Sequence, residues 1–229
     1  MRGIESSIYA VYSNARKTVE KNMSLDFKTW SARLFESVSN LSRTSKGESK
    51  KTHEEKPILL ITDPVELQKQ SAQNLRAAIE YVWNRGPYVR TETEQVRVFI
   101  TDLSKRISRL LVADDAKLRT WDIGTKYPNR VAPEDVPAAY NRFCEEVAMR
   151  LQAVRADAAQ EAAWIERAFD SEVHPLPDGC GRVARLLGAW MLLRAEKYPA
   201  RFENRTAYYD AMESSDEAWE HFYRTHLHV

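Results

Sequence analysis

Apolar residues recur at steps of three and four along most of the chain. Phe27, Trp30, Leu34, Val38 and Leu41 form one such stripe, after a weaker one at Ile8, Tyr12, Ala15 and Val19. Leu75, Ile79 and Val82 form a third, Val96, Phe99, Leu103, Ile107 and Leu110 a fourth, and Val136, Tyr140, Phe143, Val147 and Val154 a fifth. This spacing predicts amphipathic helices. Their ends are marked too. Asp63-Pro64 with Glu66 reads as an N-cap, a first-turn proline and a capping-box partner, and Asn84-Arg85-Gly86-Pro87 stops the same helix. Further starts are expected near Thr91, with Glu94 three residues on, and at Pro133, followed by Glu134 and Asp135. An Ala-rich helix should run to about Phe169 after a break near Asp157. Arg182 to Glu196 is apolar on most sides through Val183, Leu186, Leu187, Trp190 and Leu193, which predicts a buried, central helix. Short helices follow near Thr206 and Ser214.

Three stretches break the period. Ser42 to Lys56 has no aliphatic or aromatic side chain to bury and reads as an exposed, mixed-charge linker. Residues 1–56 are thus expected to be a helical appendage with a charged linker, and residues 57–229 the main domain. Leu118 to Ala132 mixes Trp121, Ile123 and Tyr127 with Gly124 and Pro128, which suggests a short hairpin or an irregular flap. Ser171 to Gly181 reads as a loop.

Composition narrows the class. Only 7 glycines and 9 prolines in 229 residues favour long helices over an all-β fold. The formal charge of +1 argues against a dedicated nucleic-acid binder. The longest apolar stretch, Leu186 to Leu193, is too short to span a bilayer, and the N-terminus lacks the apolar segment of a secretory signal. Two cysteines, Cys144 and Cys180, cannot make a disulfide scaffold. The expectation is a soluble, mostly helical, cytoplasmic protein from a reducing compartment, with neither a nucleic-acid nor a membrane partner.

The segment His174 to Arg185, HPLPDGCGRVAR, carries the chemistry. Gly179-Cys180-Gly181 precedes a helix N-terminus, where free backbone N–H groups attract an anion and glycine lets the backbone approach it. A bare Asp178 would repel that anion unless Mg²⁺, which favours a few carboxylates plus phosphate oxygens, sat between them. Arg182 and Arg185 can donate to further phosphate oxygens, and His174 can take a proton near neutral pH. These groups suit transfer chemistry at a phosphate.

The segment resembles the signature loop of Fic-domain proteins, H-x-F-x-[D/E]-G-N-G-R-x-x-R. His174, Asp178, Gly179, Gly181, Arg182 and Arg185 match, whereas Leu176 replaces Phe and Cys180 replaces Asn. The resemblance extends over roughly Pro64 to Met212 and implies an all-α, Fic-type helical bundle with a β-hairpin flap beside the loop. It also implies transfer of AMP from ATP, with Mg²⁺, to a Ser, Thr or Tyr hydroxyl of a target protein. His174 would be the base and Asp178 the metal ligand. The Gly179, Cys180 and Gly181 backbone, with Arg182 and Arg185, would bind the phosphates. The flap around Trp121, Asp122, Ile123 and Gly124 would dock the target. UMP, phosphocholine or the γ-phosphate are alternative transferred groups, and a degenerate domain that binds without turnover is a third reading. Thr44 with Glu48 and Thr62 with Glu66 are the places with the spacing of the family's inhibitory S/T-x-x-x-E-G/N helix, and neither has the following Gly or Asn. Restraint is therefore expected from a separate inhibitor protein, from another contact of the appendage, or from the loop itself.

Overall fold

The computed structural model describes residues 25–42, 60–112, 117–122 and 130–227. The stripe at Ile8–Val19, nearly all of the linker, Ile123 and Gly124 lie outside them. The described residues form eight α-helices: α1 Phe27–Leu41, α2 Pro64–Arg85, α3 Thr93–Ser108, α4 Val136–Arg150, α5 Ala158–Arg167, α6 Cys180–Arg194, α7 Arg205–Met212 and α8 Asp216–Thr225. The all-α class expected from the sequence is what is found, with no strand among the described residues. None of these helices is long and apolar enough to cross a membrane.

Local signals set most helix starts. The Asp63 carboxylate accepts from the Val65 and Glu66 amides, with Pro64 in the first turn. Glu66 pairs with Lys69 at 3.6 Å. The predicted break near Asp157 is the N-cap of α5, where its side chain accepts from the Gln160 amide at 3.1 Å. The helix expected from Thr91 begins at Thr93, preceded by Glu92, which makes no side-chain cap bond.

Helix α6 is the central element, buried from Val183 to Leu193 and packed most extensively on α5. Two glycines permit its close neighbours. A Cβ on Gly86 would lie 2.6 Å from Trp190 Cδ1, and the Trp190 indole instead donates to the Gly86 carbonyl at 2.9 Å. A Cβ on Gly188 would lie 2.2 Å from Glu166 Oε1. The bare α6 backbone therefore makes room for a carboxyl that also accepts from Tyr208 at 2.7 Å and Tyr223 at 2.6 Å. Burial pushes Glu166 up to about 7 against the pull of those two hydroxyls.

The boundary expected near Pro57 does not separate two units. Trp30, Leu34, Val38 and Leu41 of α1 are buried in the same core as α6. Trp30 and Phe27 pack on Trp83, with ring centroids 5.4 and 5.2 Å away. The Ser37 hydroxyl accepts from the Phe202 amide at 3.0 Å, and Arg205 donates to the Leu41 carbonyl at 3.1 Å. Burying four such side chains contributes roughly 1.5–3 kcal/mol each, comparable in sum with a domain's whole net stability. Helix α1 is thus part of the domain, because its stripe meets partners more than 160 residues away in sequence.

Candidate active site

The chain between α5 and α6 was expected to loop from Ser171. Instead α5 runs on through a π-helical turn, Ala168–Val173, in which the His174 amide donates to the Phe169 carbonyl at 3.0 Å. Phe169 and Val173 are buried, so packing holds this turn helical beyond the last sequence signal. Single π-turns of this kind often lie at functional sites. His174 then takes a left-handed conformation, φ 42° and ψ 61°, and ends the helix.

That geometry brings an unforeseen group to the histidine. Its Nδ1 lies 2.7 Å from the Asp170 carbonyl oxygen and 3.4 Å from Asp170 Oδ1. A carbonyl can only accept, so Nδ1 carries a proton and Nε2 is the nitrogen that can act as a base. Burial pulls the imidazole down, but the Cys180 sulfur and the hydrogen-bonded Asp170 carboxylate outweigh it and push it up to about 10. Burial likewise pushes Asp170 up, yet the bond and charge of His174, with Arg185 behind them, hold its carboxyl below the usual value. Asp170 precedes His174 by one helical turn; that spacing would have identified it had the helix been extended far enough.

Downstream, Leu176 fills the apolar place beneath the loop, buried in the core cluster. Cys180 is buried and closes a ring within the loop. Its sulfur accepts from the Leu176 amide at 3.2 Å and lies 3.5 Å from the Leu176 carbonyl. Gly179 has φ 86° and the space for its Cβ is limited by Ile107 Cγ2 at 2.9 Å, so both conformation and room require glycine. It hands the chain to α6, whose first N–H groups have no intrahelical partners. A Cβ on Gly181 would crowd Asp170, Tyr209 and Arg185, each 3.1–3.2 Å away.

The charged residues are already engaged with one another. Arg182 donates to Asp178 at 2.7 Å and to the Ser71 hydroxyl of α2 at 3.0 Å. Asp178 remains 46% exposed, whereas Arg182 is 14% exposed. Arg185 points into the interior beside Tyr208, Tyr209 and Asp170, and its Nε and Nη1 have no hydrogen-bond partner among the described residues. No cluster of three or more His, Cys, Asp or Glu side chains suited to a metal occurs among the described residues. Cys144, by contrast, is simply packed, its thiol pushed up to about 11 by burial.

Both ends of the predicted flap meet this loop. Trp121 is partly buried and Asp122 exposed, and the tip with Ile123 and Gly124 lies outside the described residues. Arg119 donates its backbone N–H to the Pro175 carbonyl at 2.8 Å, and Val131 donates to the Glu172 carbonyl at 3.1 Å. The Arg119 side chain is 1% exposed. It went unnoticed in the sequence because its partners are backbone carbonyls, which leave no residue pattern.

No protein-family model and no curated protein sequence matches the chain. Solved structures do. The chain superimposes over 98% of its length on 68% of a Fic-1 fragment, residues 134–508, from C. elegans, with a TM-score of 0.60 at 18% identity. It covers 92% of a Fic-domain-containing signalling protein from Bacteroides thetaiotaomicron, using 97% of its own length, with a TM-score of 0.65 at 13% identity. A Fic family protein from Desulfovibrio desulfuricans matches with a TM-score of 0.56 at 12% identity, over 97% of this chain and 71% of that one. With a central buried helix opening on the loop that carries His174, Asp178 and Arg182, this chain has the Fic fold.

Proposed function

We propose that the protein transfers AMP from ATP to a serine, threonine or tyrosine hydroxyl of a target protein and releases pyrophosphate. The observation that carries this reading is the placement of an imidazole held by the Asp170 carbonyl, an exposed aspartate and an arginine around the glycine-turned N-terminus of a buried helix. In the proposed step Nε2 of His174 takes the hydroxyl proton. The freed oxygen bonds to the α-phosphorus as the bond to the bridging α–β oxygen breaks, and pyrophosphate carries that electron pair away. The α6 amides face the phosphate oxygens, where their donors oppose developing negative charge without reorganising.

Asp178 fits Mg²⁺ only in company. One exposed carboxylate is too few ligands alone, but with phosphate oxygens and water it matches this ion's habit. Asp178 is the residue that would hold the ion, and when bound the ion would neutralise charge on the phosphates. Arg182 must give up Asp178 to reach a phosphate, and Ser71 would keep its other branch in place. The two unpartnered nitrogens of buried Arg185 offer further donors at the same end of α6.

Incubation with Mg²⁺ and ATP labelled at either the α- or the γ-position tests the reading. Protein-bound label from the α-position alone is the expected result. Label from the γ-position alone would replace nucleotidyl by phosphoryl transfer. Bound ATP with label from neither would leave a domain that binds without turnover.

The resting site also sets the pH response. A charged imidazole cannot act as a base, so the rate should rise with pH toward the raised value near 10. The groups facing His174 are Asp170 from its own turn and Cys180 from α6, and the sulfur leads the upward pull. Cys180→Asn removes that pull and should move the acid limb toward neutral pH. Each unit of downward shift raises the neutral fraction at pH 7 about tenfold. A pH–rate profile of kcat/KM checks this, and an unmoved limb in the variant would show that Cys180 does not hold the base charged.

A further inference from the structure

We propose that Arg119 is a positioning residue that holds His174 in its left-handed backbone conformation and ties both ends of the flap into the same frame. The inference rests on the transfer reading for its consequence in rate, but its geometry stands without it. Three separate donors of one guanidinium reach three carbonyls from three parts of the chain. Nε donates to the His174 carbonyl at 2.7 Å, Nη1 to the Trp121 carbonyl at 3.0 Å, and Nη2 to the Val131 carbonyl. The group is buried, and two backbone bonds flank it: Arg119 to Pro175 and Val131 to Glu172. Residues 172–175 are therefore stitched to residues 119–121 on one hand and to residue 131 on the other.

The connection matters because of what His174 is doing. A residue with a Cβ adopts positive φ only when its surroundings over-determine it. Here the surroundings are the preceding π-turn and the capture of the His174 carbonyl by Arg119. Released from that bond, the backbone at 174 would favour an ordinary region, and the ring would swing away from Asp170 and Cys180. The same guanidinium holds Trp121 and Val131, so the described residues on both sides of 123–129 and the proposed base are referenced to one point. A planar fork with five donors can satisfy three divergent carbonyls, whereas a lysine ammonium on a flexible stem cannot hold all three directions at once.

Arg119→Lys in the full chain is the test. The expected result is a fall in kcat for transfer of about tenfold or more with the KM for ATP little changed, because misplacement of the base by about 1 Å affects the reaction and not nucleotide binding. The His174 ring resonances should shift, and the backbone amides of Arg119 and Val131 should exchange with solvent about tenfold faster. Unchanged kcat with unmoved His174 resonances would overturn the proposal. So would a loss of kcat that leaves those resonances in place, since that is a general structural effect. If the wild type transfers nothing, the transfer reading fails, and the resonances and exchange rates still decide the role of Arg119. Should Arg119→Lys not fold, exchange of the Arg119 Nε–H in the wild type decides instead. Protection of about 10³-fold over exposed arginines is expected, and exchange as fast as theirs would sink the idea.

Discussion

His174→Ala is expected to lower the rate of label transfer by about 10²–10⁴-fold, the usual contribution of a positioned base. The argument is geometric before it is electrostatic. Nδ1 is committed to the Asp170 carbonyl, which orients the ring and leaves Nε2 as its basic position. His174 is also the group in the loop placed to exchange a proton, its Nε2 becoming a free base as pH rises toward the raised value near 10. The ring is only 17% exposed and partners the buried Asp170, so a thermal melt checks that the variant keeps its fold. Transfer is measured at saturating ATP with nucleotide affinity measured separately. Loss of transfer with ATP affinity retained is the predicted pattern. Activity within about threefold of wild type would remove His174 from the chemistry, since losing even a modest base costs more than that.

Gly188→Ala is expected to cost about 3–5 kcal/mol of stability, in the range reached when overpacking and a broken buried polar network combine. The added methyl would sit 2.2 Å from Glu166 Oε1 and 2.7 Å from the Tyr223 hydroxyl, distances no relaxation of the methyl itself can relieve. Glu166 must move, and it is buried, with Tyr208 and Tyr223 donating to its two oxygens. Displacing it strands one or both hydroxyls without water to replace the lost bond. In a chain of this size that loss lowers Tm by roughly 6–20 °C. A melt within about 2 °C of wild type would mean that the Glu166 side chain has another place to go.

Much of the scaffold was legible because its signals are local. Asp63 and Pro64 declare a helix start through groups two and three residues away, and the stripes at 96–110 and 136–154 report burial through their own period, except that Leu110 falls beyond the end of α3 and is exposed. The loop was legible for the same reason: glycines at 179 and 181 and the charges beside them are contiguous. What stayed hidden depends on distance. Nothing in residues 27–41 announces that Ser37 meets Phe202, so a true part of the core read as an appendage. The π-turn at 168–173 follows no repeating period, and without it the relation of Asp170 to His174 could not be seen. Arg119 looked like one more arginine of a flap, since its three acceptors are backbone carbonyls. Nor did sequence show that Arg182 would spend its charge on Asp178 or that Arg185 would turn inward to Tyr208.

The tyrosine-held carboxyl of Glu166 has a consequence for where this fold can work. Its folded value near 7 lies above the ordinary 4.5, so folded chains bind more protons than unfolded ones between those limits and stability erodes as pH climbs through that window. His174 acts in the same sense higher up: the support given by its charged ring is complete below about 6.5 and gone once pH passes about 10. Alkalinity therefore frees the nitrogen that the proposed transfer needs while loosening the architecture around it, so the proposed reaction would trade reactivity against endurance.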